Sequence, residues 1–232
     1  MAKSGDGGQE LPRPKAWFSW SSGKDSAYAL HEVRRTGTLD VIGLLTTVTE
    51  SYGRVSMHGV REALLDAQAE AVGLPLHQVR IPDPCPNETY EAAMARALSE
   101  AIAAGVSHIA FGDLFLEEVR SYREAKLAPL GLTAVFPLWG RPTGPLAREM
   151  IRAGLRARIC CLDPRHMPPE LAGREFDLRL LDELPPGVDP CGERGEFHTF
   201  AFDGPGFARA VRCRPGETVR RSGFVFTDLQ PG

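Results

Sequence analysis

The chain has 232 residues, 43% hydrophobic and 25% charged, with a formal net charge of −3. That is enough apolar material for one large domain or one domain with a smaller appendage, and the slight acidity gives no global pull toward nucleic acid or an anionic membrane, leaving only a local basic patch. The five cysteines, Cys85, Cys160, Cys161, Cys191 and Cys213, form no CxxC pair, so neither a zinc ribbon nor a thioredoxin-type site is indicated, and free thiols in a reducing cytoplasm are expected.

Residues 1–14 are rich in Gly, Pro and charge and read as a disordered lead-in without the apolar core of a secretory signal. No window approaches the ~18 apolar residues of a membrane span, so a soluble, cytoplasmic protein with no membrane partner is expected. "AWFSW", Ala16–Trp20, reads as a short apolar strand. "DSAYALHEVRRTG" follows with helical spacing and stops at Gly37. "DVIGLLTTV" is the next apolar run, "GVREALLDAQAEAVG" a helix with Gly73 as its C-cap, and "LHQVRI" a third strand. "NETYEAAMARALSEAIAAG" is a long helix with Asn87 as N-cap and Gly105 as its stop, and "VSHIAFGD" is a fourth strand.

Strands alternating with helices of this length mean βαβ units and a parallel sheet, hence an α/β fold. Right-handed crossovers put every strand's C-terminal end on one edge, and ligands bind there, where strand order reverses. The loop after the first strand, "TTVTE" and "FGD" are expected on that edge together. Beyond it, "FPLWGRPTGPLAREMIRAGLRARICCLDP" reads as a strand, a helix from about Thr143 to Gly154, and a strand ending near Cys161. The Gly- and Pro-broken runs from Gly195 onward read as antiparallel β, with a soft boundary near residue 135.

"FSWSSGKDSAYAL", Phe18–Leu30, carries the chemistry of the first half. It fails the Walker pattern, which needs a glycine where Phe18 stands and Ser or Thr where Asp25 stands, and it fails the dinucleotide fingerprint, having only Gly23. The local chemistry still suits phosphate. Unpaired N–H groups at a helix start attract anions, Ser21, Ser22 and Ser26 add hydroxyls, and Lys24 adds a mobile charge. Asp25 beside phosphates makes sense with a bridging Mg²⁺. The alternative is that Ser22 or Asp25 only caps the helix and Lys24 is solvated.

"SSGKDS", residues 21–26, resembles the pyrophosphate-holding loop of the N-type ATP pyrophosphatases, with Ser22 where a glycine usually stands. Serine lacks glycine's freedom at positive φ, so a small loss of affinity is expected, part of it made good by the hydroxyl. "SMHGV" (Ser56–Val60), "FGDLFLEEVRSYREA" (Phe111–Ala125), "PLWG" (Pro137–Gly140) and, above all, "DPCGERGEFHTFAFDGP" (Asp189–Pro205) resemble the diphthine–ammonia ligase family. Arg194 replaces that family's usual asparagine.

The resemblance implies a HUP-like, Rossmann-like parallel-sheet nucleotide-binding domain over 15–135, followed by a smaller α+β substrate domain over 136–232. It implies ATP and Mg²⁺ as cofactors and an AMP-forming ligase that joins ammonia to a carboxylate, either a small molecule or a modified protein histidine. Ammonia would come free or from a separate partner; a homodimer is left open, and nucleic acid is not expected as a partner.

The remaining candidates are weighed against plainer roles. Thr46 and Thr47 end the second strand and could meet adenine or be structural. Gly112 and Asp113 could approach the nucleotide or form a turn. His58 is either a ligand contact or structural. Arg120 and Glu124 manage charge beside the ligand or form a surface i,i+4 pair. Glu193, Glu196, His198 and Thr199 are the densest polar cluster of the second half. Glu196 and His198, two apart, would share a strand face. Glu193 and Glu196 could hold ammonium, take its proton or bind Mg²⁺, and His198 could be a base, unless this is a Gly-rich turn with exposed carboxylates. Gly192 and Gly195 join the substrate-binding set by resemblance. A tRNA-modifying pyrophosphatase and a non-catalytic ATP-sensing module are the competing classes. The acid balance and irregular cysteines count against the first, the Glu-rich motif against the second.

Overall fold

The computed structural model describes residues 12–232. Residues 1–11 of the expected lead-in lie outside the described residues. Pro14 does not fit a disordered reading: its carbonyl accepts a 2.9 Å bond from Asp40 N–H and extends the first sheet's ladder.

The first half alternates as its hydrophobic periodicity requires: β1 Lys15–Ser19, α1 Lys24–Thr36, β2 Asp40–Thr49, β3 Arg54–Val55, α2 Glu62–Val72, β4 Leu76–Ile81, α3 Asn87–Ala103, β5 His108–Ala110, α4 Glu117–Leu127 and β6 Thr133–Val135. Gly37 and Gly73 end α1 and α2 as expected. Asn87 is not the N-cap of α3. Pro86 takes that place in extended backbone, and Asn87 is the first helical residue with no side-chain cap bond. Proline's fixed φ makes it the natural hinge into the first turn, so the helix starts one residue earlier than the Asn signal implies.

Pairing registers fix the topology. β1 pairs with Asp40–Leu45 of β2, and β4 with Leu44–Thr49, so they take opposite edges of β2. β3 pairs antiparallel with Val48 and Thr49, which β4 also covers, so β3 sits on the β1 side, beyond the end of β1. On the other side of β1 come β5 and then β6, both parallel. The chain thus builds outward from β1 through β2 to β4, then returns to build through β5 and β6. The order reverses between β1 and β5, which is where a parallel α/β sheet opens a crevice at its C-terminal edge.

The second half holds α5 Thr143–Arg152, β7 Arg156–Leu162, α6 Leu178–Glu183, β8 Phe197–Asp203, β9 Cys213–Arg221 and β10 Phe224–Pro231. The four strands form an antiparallel sheet in the order β8-β7-β10-β9. The strand expected in "FPLWG" is not formed. Pro137–Gly140 is a turn after β6, since a proline cannot donate to a ladder. The two sheets are not separately cored: Phe18, Trp20 and Leu64 from the first half belong to one buried cluster with Ile159, Phe197 and Phe200 from the second. No helix among the described residues is long and apolar enough to cross a membrane. All five cysteines are unpaired.

Candidate active site

The Trp20–Gly23 loop leaves β1 at the strand-order reversal and opens α1. Gly23 is the N-cap residue and makes no side-chain cap bond, so the first amides of α1 are not consumed by a capping side chain. Ser26 Oγ sits 2.7 Å from Ser21 Oγ and accepts from Ser21 N–H, while Ser21 Oγ accepts from Gly23 N–H. Ser22 is buried at φ 68°, the left-handed region expected for a glycine, and its hydroxyl has no partner. The hydroxyl therefore replaces no contact within the protein. The Ser22 carbonyl accepts from Gln68 Nε2 at 3.0 Å and from Ala201 N–H at 2.9 Å, which ties the loop to α2 and β8.

Lys24, only 1% exposed, joins the two halves. Its N–H donates to Thr199 Oγ1 at 3.1 Å, and its ammonium donates to Asp25 Oδ2 at 2.9 Å and to the Cys191 carbonyl. The ammonium also lies 5.3 Å from the Phe176 ring centroid and 5.2 Å from that of Phe197. Burial opposes its charge, but Asp25, and behind it Cys191 and Glu193, outweigh burial and hold its pKa above the usual lysine value. Asp25 Oδ1 is buried with no hydrogen-bond partner. An orphaned carboxylate oxygen beside a phosphate-type loop suits Mg²⁺, which takes one or two carboxylates and fills its shell with phosphate oxygens and water. Among the described residues no three His, Cys, Asp or Glu gather as a self-sufficient metal site.

A cavity of about 790 Å³ runs from this loop along the sheet edge. Ser21, Lys24, Asp25 and Ser26 form its wall on one side, and Glu193, His198 and Thr199 of the second half face them. An apolar extension continues between α3 and α4, past Tyr90, Met94, Leu98, Phe111 and Tyr122. His58, in the wall beside Gly23, places Nδ1 3.1 Å from the Thr199 carbonyl. A carbonyl only accepts, so the ring proton is on Nδ1 and Nε2 keeps its lone pair. Burial, then the neighbouring His198, lowers His58 to about 3. Burial, then Lys24, lowers His198 to about 4. The two rings lie 4.8 Å apart and are neutral at neutral pH. Glu193 accepts from Leu114 N–H at 2.7 Å, and burial raises it to about 7.

Several sequence candidates have other employment. Glu196 is buried away from the cavity wall, its carboxylate accepting from Asp189 N–H at 2.9 Å and Arg194 N–H at 3.0 Å. It braces the loop, while His198 lines the cavity, so the two do not work on one face. Arg120 and Glu124 form the surface i,i+4 pair at 2.8 Å, with Arg120 over Phe136 and Trp139, outside the wall. Gly195 and Arg194 also lie outside the wall, Arg194 over the Phe115 ring. Thr46 and Thr47 line the cavity, but the Thr46 hydroxyl is spent on the Trp20 carbonyl. Asp113 lines it with its carboxylate ion-paired to Arg123 at 2.8 Å. Gly112 is set by packing, since a Cβ there would lie 2.8 Å from Ser26 N. Gly192 lines the cavity and sits close under Phe197.

Two organising residues were not foreseen. Gln68 bonds Trp20 Nε1 and Ser22 O; its signal is a polar residue on the Leu64, Leu65, Val72 stripe of α2. Asp189 accepts from Cys191 and Glu193 N–H and from the Thr143 hydroxyl; nothing marked it apart from its neighbours in the motif.

Fold and site define a Rossmann-like α/β protein whose crevice, at the strand-order reversal, is walled on its far side by a second, antiparallel unit. Residues 15–133 match the family model of the diphthamide synthase N-terminal domain and residues 143–227 that of the C-terminal domain. The chain belongs to the diphthamide synthase family, as the SSGKDS and CGERGEFHTF motifs led us to expect. It is 27% identical to the diphthine–ammonia ligase of Danio rerio over 90% of both chains. Identity to those of Mus musculus and Homo sapiens is 26% and 25%, over 90% of this chain and 86% of each relative.

Proposed function

We propose that this protein is an ATP-dependent ligase that activates a carboxylate as an acyl-adenylate and converts it to an amide with ammonia. The carboxylate oxygen attacks the α-phosphorus, the α–β bridging bond breaks, and pyrophosphate leaves. Ammonia then attacks the acyl carbon, the bond to AMP breaks, and a proton is lost to a base. Activation is needed because a bare carboxylate would have to expel oxide.

Residues 15–135 supply the nucleotide side and 136–232 the acceptor side. The observation that carries this reading is Lys24, bonded at once to Asp25, Thr199 and Cys191 in the wall of one cavity. The Ser21–Ser26 loop, with the α1 amides and Lys24, receives the pyrophosphate portion, where developing charge is greatest. The apolar extension past Tyr90 and Phe111 receives the base. Mg²⁺ on Asp25 would neutralise phosphate charge. Glu193, raised to about 7, is the group best matched to accept the proton of the attacking ammonia near neutral pH. His58 and His198, both neutral, bring no positive charge to repel an incoming ammonium.

AMP and pyrophosphate release with ammonium, across a panel of acids that includes diphthine-bearing protein and small-molecule carboxylates, tests the reading. At least one acid should support turnover. Lys24→Ala should largely abolish it, with folding checked by circular dichroism; near-normal AMP release would remove Lys24 from the mechanism.

A further inference from the structure

The molecule is acidic overall, yet one strand runs against that balance. From Arg212 to the end of β9 there are four arginines, Arg212, Arg214, Arg220 and Arg221, against the single carboxylate Glu217. All four are exposed, and none takes part in an ion pair among the described residues, whereas nearby Arg209 pairs with Glu70 and Arg54 with Asp228. β9 is also the last strand of its sheet, so its outer edge keeps its main-chain donors and acceptors open.

The strand leads to the cavity. Arg221 lies 4.6 Å over the Tyr52 ring and 5.0 Å over Phe226, and Phe226 packs against Gly59. Tyr52 and Gly59 flank the turn that carries Met57 and His58 in the cavity wall. Val219 pairs with Phe226 on the same side. Tyr52, Met57 and Val219 are 48%, 67% and 42% exposed, so the arginines border apolar surface that is left open. Arginine, tyrosine and methionine are the residues that interface cores favour.

Charge on an edge strand also serves to keep it from pairing with its own kind. That role is met by either sign and needs no apolar border running to a ligand cavity. We infer that the open edge of β9 is the docking face for an extended, acidic segment of a protein, which adds a strand there beside the cavity wall. Main-chain groups spaced along a strand fit a peptide backbone and not a sugar–phosphate one. This rests on the ligase reading.

The test uses the full chain and a fluorescent peptide of about ten residues, a full strand length, alternating Glu and Val. Binding is followed by anisotropy at low and high salt, with hydrogen exchange across β9. The wild type should bind the peptide, and more weakly at high salt. R220E/R221E should weaken binding at least about tenfold, while R152E, an exposed charge reversal elsewhere, should leave it unchanged. Exchange in the β9 amides should slow on binding. Because the double variant keeps the edge charged, it separates docking from edge protection. Equal binding by the double variant, no slowing in β9, no binding by the wild type, or tighter binding of a single-stranded RNA of similar length would each overturn the inference. These readouts involve no turnover, so a failed Lys24 experiment and a failed docking experiment are distinguishable.

Discussion

Ser22 holds φ at 68° with its hydroxyl buried and unpartnered. A left-handed backbone costs a residue with a Cβ about 1–2 kcal/mol, and an unsatisfied buried hydroxyl adds about 1–3 kcal/mol. Ser22→Gly removes both, against a smaller gain of chain entropy in the unfolded state, so denaturant midpoints should rise by the equivalent of about 1 kcal/mol. Glu193 gives a pH-dependent counterpart. Its folded pKa, about 7, lies above its ordinary value, so the folded state holds the proton more tightly than the unfolded chain. The stability it contributes is present below the ordinary carboxylate range and is lost as pH rises through about 7. Glu193→Gln, which mimics the protonated form, should match the wild type in melting temperature in mild acid and exceed it above neutrality. At this scale the sequence was legible where a residue's chemistry was unusual for its setting, as with a serine in a glycine's place. It was not legible where the same residue types recur within one motif. Glu193 and Glu196 look alike in the sequence, and only the fold turns one to the cavity and the other onto backbone amides.

At the scale of elements, the β5–α4 connection presses on the start of α1. A Cβ on Gly112 would lie 2.8 Å from Ser26 N and 3.0 Å from Asp25 C, both backbone atoms. Relief requires α1 to move, and overpacking of this kind costs about 1–3 kcal/mol. Gly112→Ala should therefore lower the melting temperature and weaken ATP binding in a titration. Gly144→Ala, in the first turn of α5 with open space around it, should do neither. Elements with clear periodicity were readable to within a residue or two: "LHQVRI" coincides with β4, and α1 stops at Gly37. The short ones were not. β6 has three residues and α6 six, too few for a period to emerge, and the apolar run "FPLWG" looked like a strand because hydrophobicity does not register a missing proline N–H.

At the scale of the molecule, parallel-sheet logic alone brought the serine loop and "FGD" to one edge, because crossover handedness acts at every βαβ unit alike. The meeting of that edge with "CGERGEFHTF" had no such local signal. It depends on a core shared by both sheets, which draws β8 against α1, and on bonds between residues 175 positions apart, such as Lys24 to Thr199. The lysine at that junction has its ammonium already engaged. On the ligase reading, phosphate oxygens do not come to an idle cation; they meet one that already donates to Asp25 and to the Cys191 carbonyl and keeps a third N–H for them. Nucleotide capture then joins the loop, the phosphate and the Asp189–Glu196 segment opposite through a single ammonium.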